Sequence, residues 1–312
     1  MLRLLPSDQT LPAVGALVLN SLIWGISWLP FRFLNSMGLH SLWMTTWIYA
    51  VATLIFLVRF PGALRSMYRS PWLMALGLAS GLTNASFTWG VTVGDVMRVV
   101  LLFFMMPVWA IILARLLLGE AVTRGALVRA ALAVAGAVIV LGQADTWLPV
   151  PRSLPDWLGL IGGAGFALTN VLLRRQAKES MQSKAMAMFL GSMLFPGMIA
   201  AIATAGAYAQ VTMPVLSLEL AVLATLTAGL FIVANLLLQY GAAHLPANVT
   251  AVVSISEIPF AALSAWLIGG EPLTGRKLLG GAFIVTASVL AAMPHWRKRS
   301  NKPSDIRKAP TE

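Results

Sequence analysis

Long apolar segments alternate with short polar, glycine- or proline-containing turns along almost the whole chain. A helix needs about 20 residues to cross the ~30 Å hydrocarbon core of a bilayer, and ten segments of about this length occur. They cover residues 13–34, 42–60, 72–93, 97–118, 123–142, 155–174, 184–206, 217–240, 247–269 and 274–293. The pattern predicts an all-α polytopic membrane protein with ten transmembrane helices.

The composition indicates that lipid is the solvent for these segments. Hydrophobic residues make up 58% of the 312 positions and charged residues 11%, against roughly 25% charged in soluble domains. The chain has no cysteine, which excludes disulfides and thiol chemistry. The formal charge of +11 does not indicate nucleic-acid binding, because the basic residues lie in short loops and the C-terminal tail.

The positive charges also predict an orientation. With both termini in the cytoplasm, 17 Lys and Arg residues lie inside and five outside, the five being Arg32, Arg98, Arg152, Arg276 and Lys277. Cytoplasmic loops of membrane proteins carry such an excess of positive charge. In this orientation Glu120 faces the cytoplasm and Glu271 faces the outside.

The second half of the chain resembles the first. Residues 118–123 and 269–274 both contain a Gly-Glu pair followed by threonine, and each joins two apolar segments. We therefore predict two five-helix repeats, at 1–148 and 149–296, and a disordered basic cytoplasmic tail at 297–312. Because five is an odd number, the two repeats must be inserted in opposite orientations.

A weaker match extends the repeat to the first helix of each half. At an offset of 142 positions, Trp24 aligns with Phe166 and Arg32 aligns with Arg174. Inverted repeats of spanning helices are the architecture that carriers use to open one site alternately to the two sides of a membrane.

Aromatic and amide side chains recur four residues apart, on one helical face, in several spans. Polar groups inside a membrane are costly unless they face protein or water, so these faces predict a central site for an amphipathic substrate. Alternatively, the amides only bond neighbouring helices. The candidate substrate-binding residues are Trp24, Trp28, Asn84, Met105, Phe166, Asn170, Asn235 and Gln239.

Glu257 lies near the middle of its predicted span and completes the candidate set. A carboxylate at that depth could exchange a proton or pair with a substrate ammonium. The alternative is a structural, protonated glutamate that bonds Asn235 or Gln239. Pro107 and Pro259 interrupt their helices near mid-span and are candidate hinges, or else fixed bends.

The loops offer further expectations. Asp95 and Arg98 are spaced to form an exposed ion pair at the outer start of the fourth span. Thr123 and Thr274 are expected to cap the fifth and tenth helices. The two Gly-Glu loops are expected to play a structural part rather than to bind a ligand.

Several of these residues resemble one family. Residues 256–271 resemble the Glu-Pro…Gly-Glu signature of the ten-helix EamA-type branch of the drug/metabolite transporter superfamily, and residues 107–120 match it in spacing. Trp24-Gly25 is similar to that family's first-helix Trp-Gly pair. The resemblance implies an inner-membrane exporter of small metabolites, often amino acids, with a cavity lined by helices 1, 3, 4, 6, 8 and 9.

The expected function is therefore a secondary-active or facilitative exporter that works by alternating access, with protons as a possible coupling ion. The aromatic lining favours large apolar or aromatic amino acids, and the alternative is a multidrug or lipophilic-cation exporter. A membrane-embedded enzyme is disfavoured, because His40, His244 and His295 fall in loops or at helix ends and form no ligand cluster. No metal or cofactor is expected, and the sequence leaves the oligomeric state open, a monomer being plausible.

Overall fold

A computed structural model describes residues 7–142, 150–206, 211–215, 217–245 and 247–292. Regular structure in these ranges is entirely helical. The helices are α1 (Ser7–Gly25), α2 (Trp28–Ser36), α3 (Ser41–Arg59), α4 (Gly62–Tyr68), α5 (Pro71–Val93), α6 (Val96–Phe103), α7 (Met106–Leu118), α8 (Arg124–Leu141), α9 (Leu154–Arg175), α10 (Met181–Ala205), α11 (Leu218–His244), α12 (Ala247–Ser254), α13 (Glu257–Leu267) and α14 (Gly275–Ala292). The tail at 297–312 and the repeat boundary at 148–149 lie outside the described residues.

All helices but α4, which lies between the second and third predicted spans, coincide with the predicted spans to within a few residues at nearly every end. Seven helical segments are long and apolar enough to cross a membrane, and Val252–Leu267 is a shorter apolar helix. The described part of the chain is thus all-helical and consistent with a polytopic membrane protein. The helix α5 is not among the seven segments because Ser, Thr, Asn and Gly occupy many of its positions, and most of these are buried against other helices.

Three predicted spans are each divided into two helices, and a proline follows each division. Pro30 cannot donate to the Ile26 carbonyl, and the Leu29 N–H donates to it instead. In the same way Pro259 cannot donate to the Ile255 carbonyl, and the Ile258 N–H donates to it instead. Pro107 lies in the first turn of α7, directly after the third interruption. Proline chemistry therefore explains why α2, α7 and α13 begin where they do.

The helix α5 packs against α9, α10 and α3, while α11 packs against α1 and α3 and α8 packs against α14. Glycines permit the closest of these contacts. A Cβ on Gly191 of α10 would lie 2.0 Å from the Gly77 carbonyl oxygen of α5, and one on Gly163 of α9 would lie 2.3 Å from the Phe103 carbonyl oxygen. Backbones that approach so closely gain van der Waals contact, which drives helix association in lipid.

Large apolar side chains cover the outer faces of the bundle. They include Leu54, Ile55, Val58, Leu194, Met198, Ile202, Val222, Leu226, Val233 and Leu236, all exposed. Exposed apolar surface on this scale is expected where hydrocarbon rather than water surrounds the protein.

Candidate functional site

The three helix interruptions meet in one region of the core. A Cβ on Gly25, at the end of α1, would lie 3.0 Å from the Glu257 carbonyl oxygen at the start of α13. Phe104 and Ile255, which lie within the other two interruptions, share one buried cluster with Trp28 at the start of α2. Binding sites of carriers commonly form where discontinuous helices meet, because side chains and backbone groups of several elements converge there.

An aromatic row crosses this region. Its successive ring centroids are separated by 5.6, 4.9, 6.2, 5.0 and 5.6 Å. Its members, in spatial order, are Phe31, Phe231, Trp24, Phe87, Phe103 and Phe166. They come from α2, α11, α1, α5, α6 and α9, so the row joins the two halves of the chain. Its edge-to-face and tilted contacts stabilise packing between aromatic rings.

Two of the predicted binding residues belong to the aromatic row and a third lies beside it. Trp24 contacts Phe87 and Phe231, and Phe166 forms the exposed end of the row. Trp28 is buried, and its Nε1–H donates to the Ser264 hydroxyl at 3.0 Å, which ties α2 to α13. Phe31, Phe87 and Phe103 were missed, since none of them belongs to the rows of aromatic and amide residues four apart from which the candidates were taken.

Asn84 and Met105 lie elsewhere. The Asn84 side chain accepts from the Tyr49 hydroxyl at 2.9 Å and donates to the Ser192 hydroxyl at 3.0 Å and to its own helix. It therefore serves the bonding between helices that was the alternative to substrate contact. Met105 packs with Leu102, Ala137 and Leu141, on the side of α8.

The other amides are less engaged. Asn170 and Asn235 each donate to a carbonyl one turn earlier in their own helix, at 2.9 Å. Asn170 and Gln239 are exposed, and Asn235 is half-buried. None of the three joins the aromatic row, although Asn170 and Asn235 each lie one turn beyond one of its rings.

Glu257 is the first residue of α13 and is partly buried. Among the described residues, no hydrogen-bond donor and no cation contacts its carboxylate. The bond to Asn235 or Gln239, which was the structural alternative for Glu257, is absent among the described residues, and Asn235 donates to the Phe231 carbonyl instead. The structure thus places an unpartnered carboxylate at an interruption that adjoins Trp24.

One end of the molecule, which we name the Glu271 end, is closed by charged groups. Arg32 pairs with Glu271 at 2.9 Å and also donates to the carbonyls of Val91 and Gly94, at 3.2 and 2.5 Å. The second carboxylate oxygen of Glu271 accepts from the Val96 N–H at 2.9 Å. A single ion pair therefore connects α2, the end of α5, the start of α6 and the loop after α13.

Two further ion pairs close the same end. Arg98 forms a two-point contact with Asp156, at 2.6 and 3.0 Å, and Lys277 pairs with Asp95. The expected pair between Asp95 and Arg98 is wrong. The Asp95 carboxylate instead caps α6 by accepting from the Arg98 backbone N–H at 2.8 Å, and the two side chains bond other elements.

The opposite end, which we name the Glu120 end, carries an exposed ion pair. Arg174 pairs with Glu120, and both side chains are well exposed. A cleft of about 320 Å³ opens beside this pair. Its lining includes Pro107, Ala114, Glu120, Thr123, Arg129 and Arg174.

The loops that carry Glu120 and Glu271 have the same construction. Gly119 and Gly270 both adopt the left-handed conformation, at φ +69° and +66°, which glycine enters without steric cost. Thr123 and Thr274 then accept from backbone N–H groups three residues later, which confirms the expected caps.

Comparison with known proteins gives a family match for residues in the first half of the chain. Residues 11–142 match the model of the EamA-like transporter family, so the resemblance to the drug/metabolite transporter superfamily is confirmed over these residues. No curated protein matches the chain. One solved structure, titled only as the crystal structure of a protein, aligns with 91% of this chain and 96% of its own at a TM-score of 0.52 and 18% identity. At that identity the likeness supports the fold alone.

Proposed function

We propose that this protein is an alternating-access carrier, secondary-active or facilitative, that exports small metabolites, with large apolar or aromatic amino acids as its substrates. The observation that carries the proposal is the meeting of three interrupted helices at an aromatic row, beside the unpartnered carboxylate of Glu257. The EamA-like match supports a transporter rather than an enzyme.

The proposal includes ten spans in two inverted repeats, and the helix contacts support it. The third helix of the first repeat, α5, packs against the first and second helices of the other repeat, α9 and α10. The third helix of the second repeat, α11, packs against α1 and α3, which are the corresponding elements. A twofold axis between the repeats requires this exchange of partners.

The site chemistry supports the substrate class. The rings of Trp24 and Phe231 present flat apolar surfaces to which an aromatic side chain adds edge-to-face contacts. Glu257 would pair with the substrate ammonium or exchange it for a proton. A lipophilic cation would make the same contacts with the aromatic rings and with the Glu257 carboxylate. An exporter of lipophilic cations is therefore the alternative function that Glu257 also supports.

The charge distribution supports an inner membrane location with cytoplasmic termini. Among the described residues, the Glu271 end carries five basic residues: Arg32, Arg98, Arg152, Arg276 and Lys277. The Glu120 end carries a larger set, including Arg65, Arg69, Arg115, Arg124, Arg129, Arg174, Arg175 and Lys178. We therefore assign the Glu120 end to the cytoplasm.

A counterflow assay tests the proposal. Purified protein in liposomes loaded with unlabelled phenylalanine should accumulate labelled phenylalanine, whereas liposomes without protein should not. Tetraphenylphosphonium and phenylalanine amide, each used as the loaded and labelled compound in place of phenylalanine, distinguish the substrate classes: exchange of these cations without exchange of phenylalanine would favour the cation exporter. Trp24→Ala should lower exchange, while Trp157→Ala, which removes an exposed ring outside the row, should leave it unchanged. Absence of flux for both classes would count against a carrier of either kind.

A further inference from the structure

Two ion pairs join the repeats at opposite ends of the molecule. At the Glu271 end, Arg32 of the first repeat pairs with Glu271 of the second. At the Glu120 end, Arg174 of the second repeat pairs with Glu120 of the first. Arg32 and Arg174 occupy aligned positions of the repeat, as do Glu120 and Glu271. Each pair is therefore the symmetry counterpart of the other.

The two pairs differ in how firmly they are held. The Arg32 and Glu271 side chains are 28% and 13% exposed, and backbone groups of α5 and α6 add hydrogen bonds to both. The Arg174 and Glu120 side chains are 59% and 45% exposed, and no other element described here adds a bond to either. An ion pair shielded from water contributes more than an exposed one, which is screened.

The helix interruptions place both pairs on elements able to move. Arg32 lies on α2, while Glu120 and Glu271 lie in the loops directly after α7 and α13. Three of the four residues are therefore on, or attached to, the half-helices that begin at the interruptions. A kink at a proline allows the two parts of a helix to reorient without breaking further hydrogen bonds. Movement of α2 and α13 against α5 would separate Arg32 from Glu271.

We propose that these two pairs are alternate locks, of which one is tight in each access state. The Arg32–Glu271 pair seals the Glu271 end in the state described here. When that end opens, the Arg174–Glu120 pair becomes the shielded one and seals the Glu120 end. The proposal rests on the alternating-access function, and it assigns to the Gly-Glu loops a gating role that their sequence did not indicate.

Site-specific labelling tests the locks without knowledge of the substrate. Because the chain has no cysteine, Val91→Cys provides a single reporter; Val91 is 1% exposed and its carbonyl accepts from Arg32. The rate of its reaction with a water-soluble maleimide is measured in lipid nanodiscs, where both ends are accessible. Loss of one lock shifts the population of states, so Glu271→Gln should raise the rate by about fivefold or more, and Glu120→Gln should lower it.

The double variant separates a lock from a merely structural contact. Releasing both ends restores the balance between the states, so Glu120→Gln added to Glu271→Gln should return the Val91→Cys rate towards that of the parent. Two structural defects would instead add, and the rate would rise further. Such a rise, or an unchanged rate in Glu271→Gln, would overturn the proposal.

Three controls complete the design. Glu219→Gln removes an exposed acid at the Glu271 end that has no ion-pair partner among the described residues, and it should leave the rate unchanged. If Glu271→Gln fails to accumulate, Arg32→Gln breaks the same pair from the other side and should give the same increase. Counterflow is measured on the same variants. If labelling changes as expected but no flux is seen, the proposed substrates are refuted and the locks are kept. If flux is seen but labelling does not change, the locks alone are refuted.

Discussion

At the scale of single residues, the proposed exchange of protons depends on Glu257. Its carboxylate has no partner among the described residues and lies beside Trp24 at the start of α13. In Glu257→Gln the side chain keeps its size and loses its ability to titrate. We expect uptake driven by a pH gradient to be abolished while equilibrium exchange persists, as measured in reconstituted liposomes. Glu219→Gln is the matched control; undiminished pH-driven uptake in Glu257→Gln would remove the proton role.

His40 makes a prediction about stability rather than transport. It precedes α3, its Nδ1 accepts from the Leu42 N–H, and its ring lies edge-on to Trp89. Burial lowers the pKa of His40 from its ordinary 6.5 to about 4, because the charged form loses its hydration. The unfolded chain therefore binds the proton more readily than the folded chain between these two values.

The stability that neutral His40 contributes is present above pH 6.5 and is lost progressively down to about pH 4. His40→Asn keeps a side-chain acceptor for the Leu42 N–H and cannot titrate. Between pH 7.5 and pH 5 its free energy of unfolding should therefore fall less than that of the parent, by up to about 2 kcal/mol. Thermal unfolding in detergent at pH 5 and 7.5 measures the difference. His244→Asn, which removes a half-buried histidine at the end of α11, is the matched histidine control. Equal pH dependence of His40→Asn and the parent would contradict the assignment.

At the scale of elements, the crossing of α5 and α10 depends on the absence of side chains at its closest point. A Cβ at Gly191 would meet the Gly77 carbonyl at 2.0 Å and force the helices apart. Separation would also strain the bond between the hydroxyls of Ser80 and Ser192, 2.9 Å apart. We expect Gly191→Ala to destabilise the protein by about 1–3 kcal/mol, measured as a lower unfolding temperature.

Gly229 of α11 supplies the matched control, because nothing lies within 4 Å of a Cβ built there. Alanine favours a helix over glycine by up to about 1 kcal/mol, so Gly229→Ala should be neutral or slightly stabilising. A Gly191→Ala protein as stable as Gly229→Ala would show that the crossing relaxes without cost.

The elements also show how far the sequence could be interpreted. Length and hydropathy were enough to place the long apolar helices, because the bilayer imposes both on any span, but they did not indicate the short helix α4. The interruption before Pro30 was missed, although Pro30 is as visible in the sequence as Pro107 and Pro259, whose interruptions were expected. Partners across the fold could not be predicted: nothing in the spacing of Asn84 shows that it faces Tyr49 and Ser192, or that Arg98 turns from Asp95 to Asp156. Such choices depend on how the helices pack.

At the scale of the whole molecule, the asymmetry of the two ends defines the state described here. Three ion pairs close the Glu271 end, and one exposed pair beside a cleft of about 320 Å³ lies at the Glu120 end. Two repeats with equivalent loops would give equivalent ends if the state were symmetric. Under the proposed alternating-access function, and with the Glu120 end assigned to the cytoplasm, this difference corresponds to an inward-facing state.

The cytoplasmic location of the Glu120 end is simple to test, because the chain has no cysteine. Ser36 at the Glu271 end and Lys178 at the Glu120 end are both exposed. On intact cells, a membrane-impermeant maleimide should label Ser36→Cys and leave Lys178→Cys unlabelled until the membrane is permeabilised. The reverse result would invert the assignment of the two ends and turn the sealed end towards the cytoplasm. Labelling of both positions in intact cells would instead be incompatible with Glu120 and Glu271 lying on opposite sides of the membrane. That result would refute both the inverted repeat and the alternate locks.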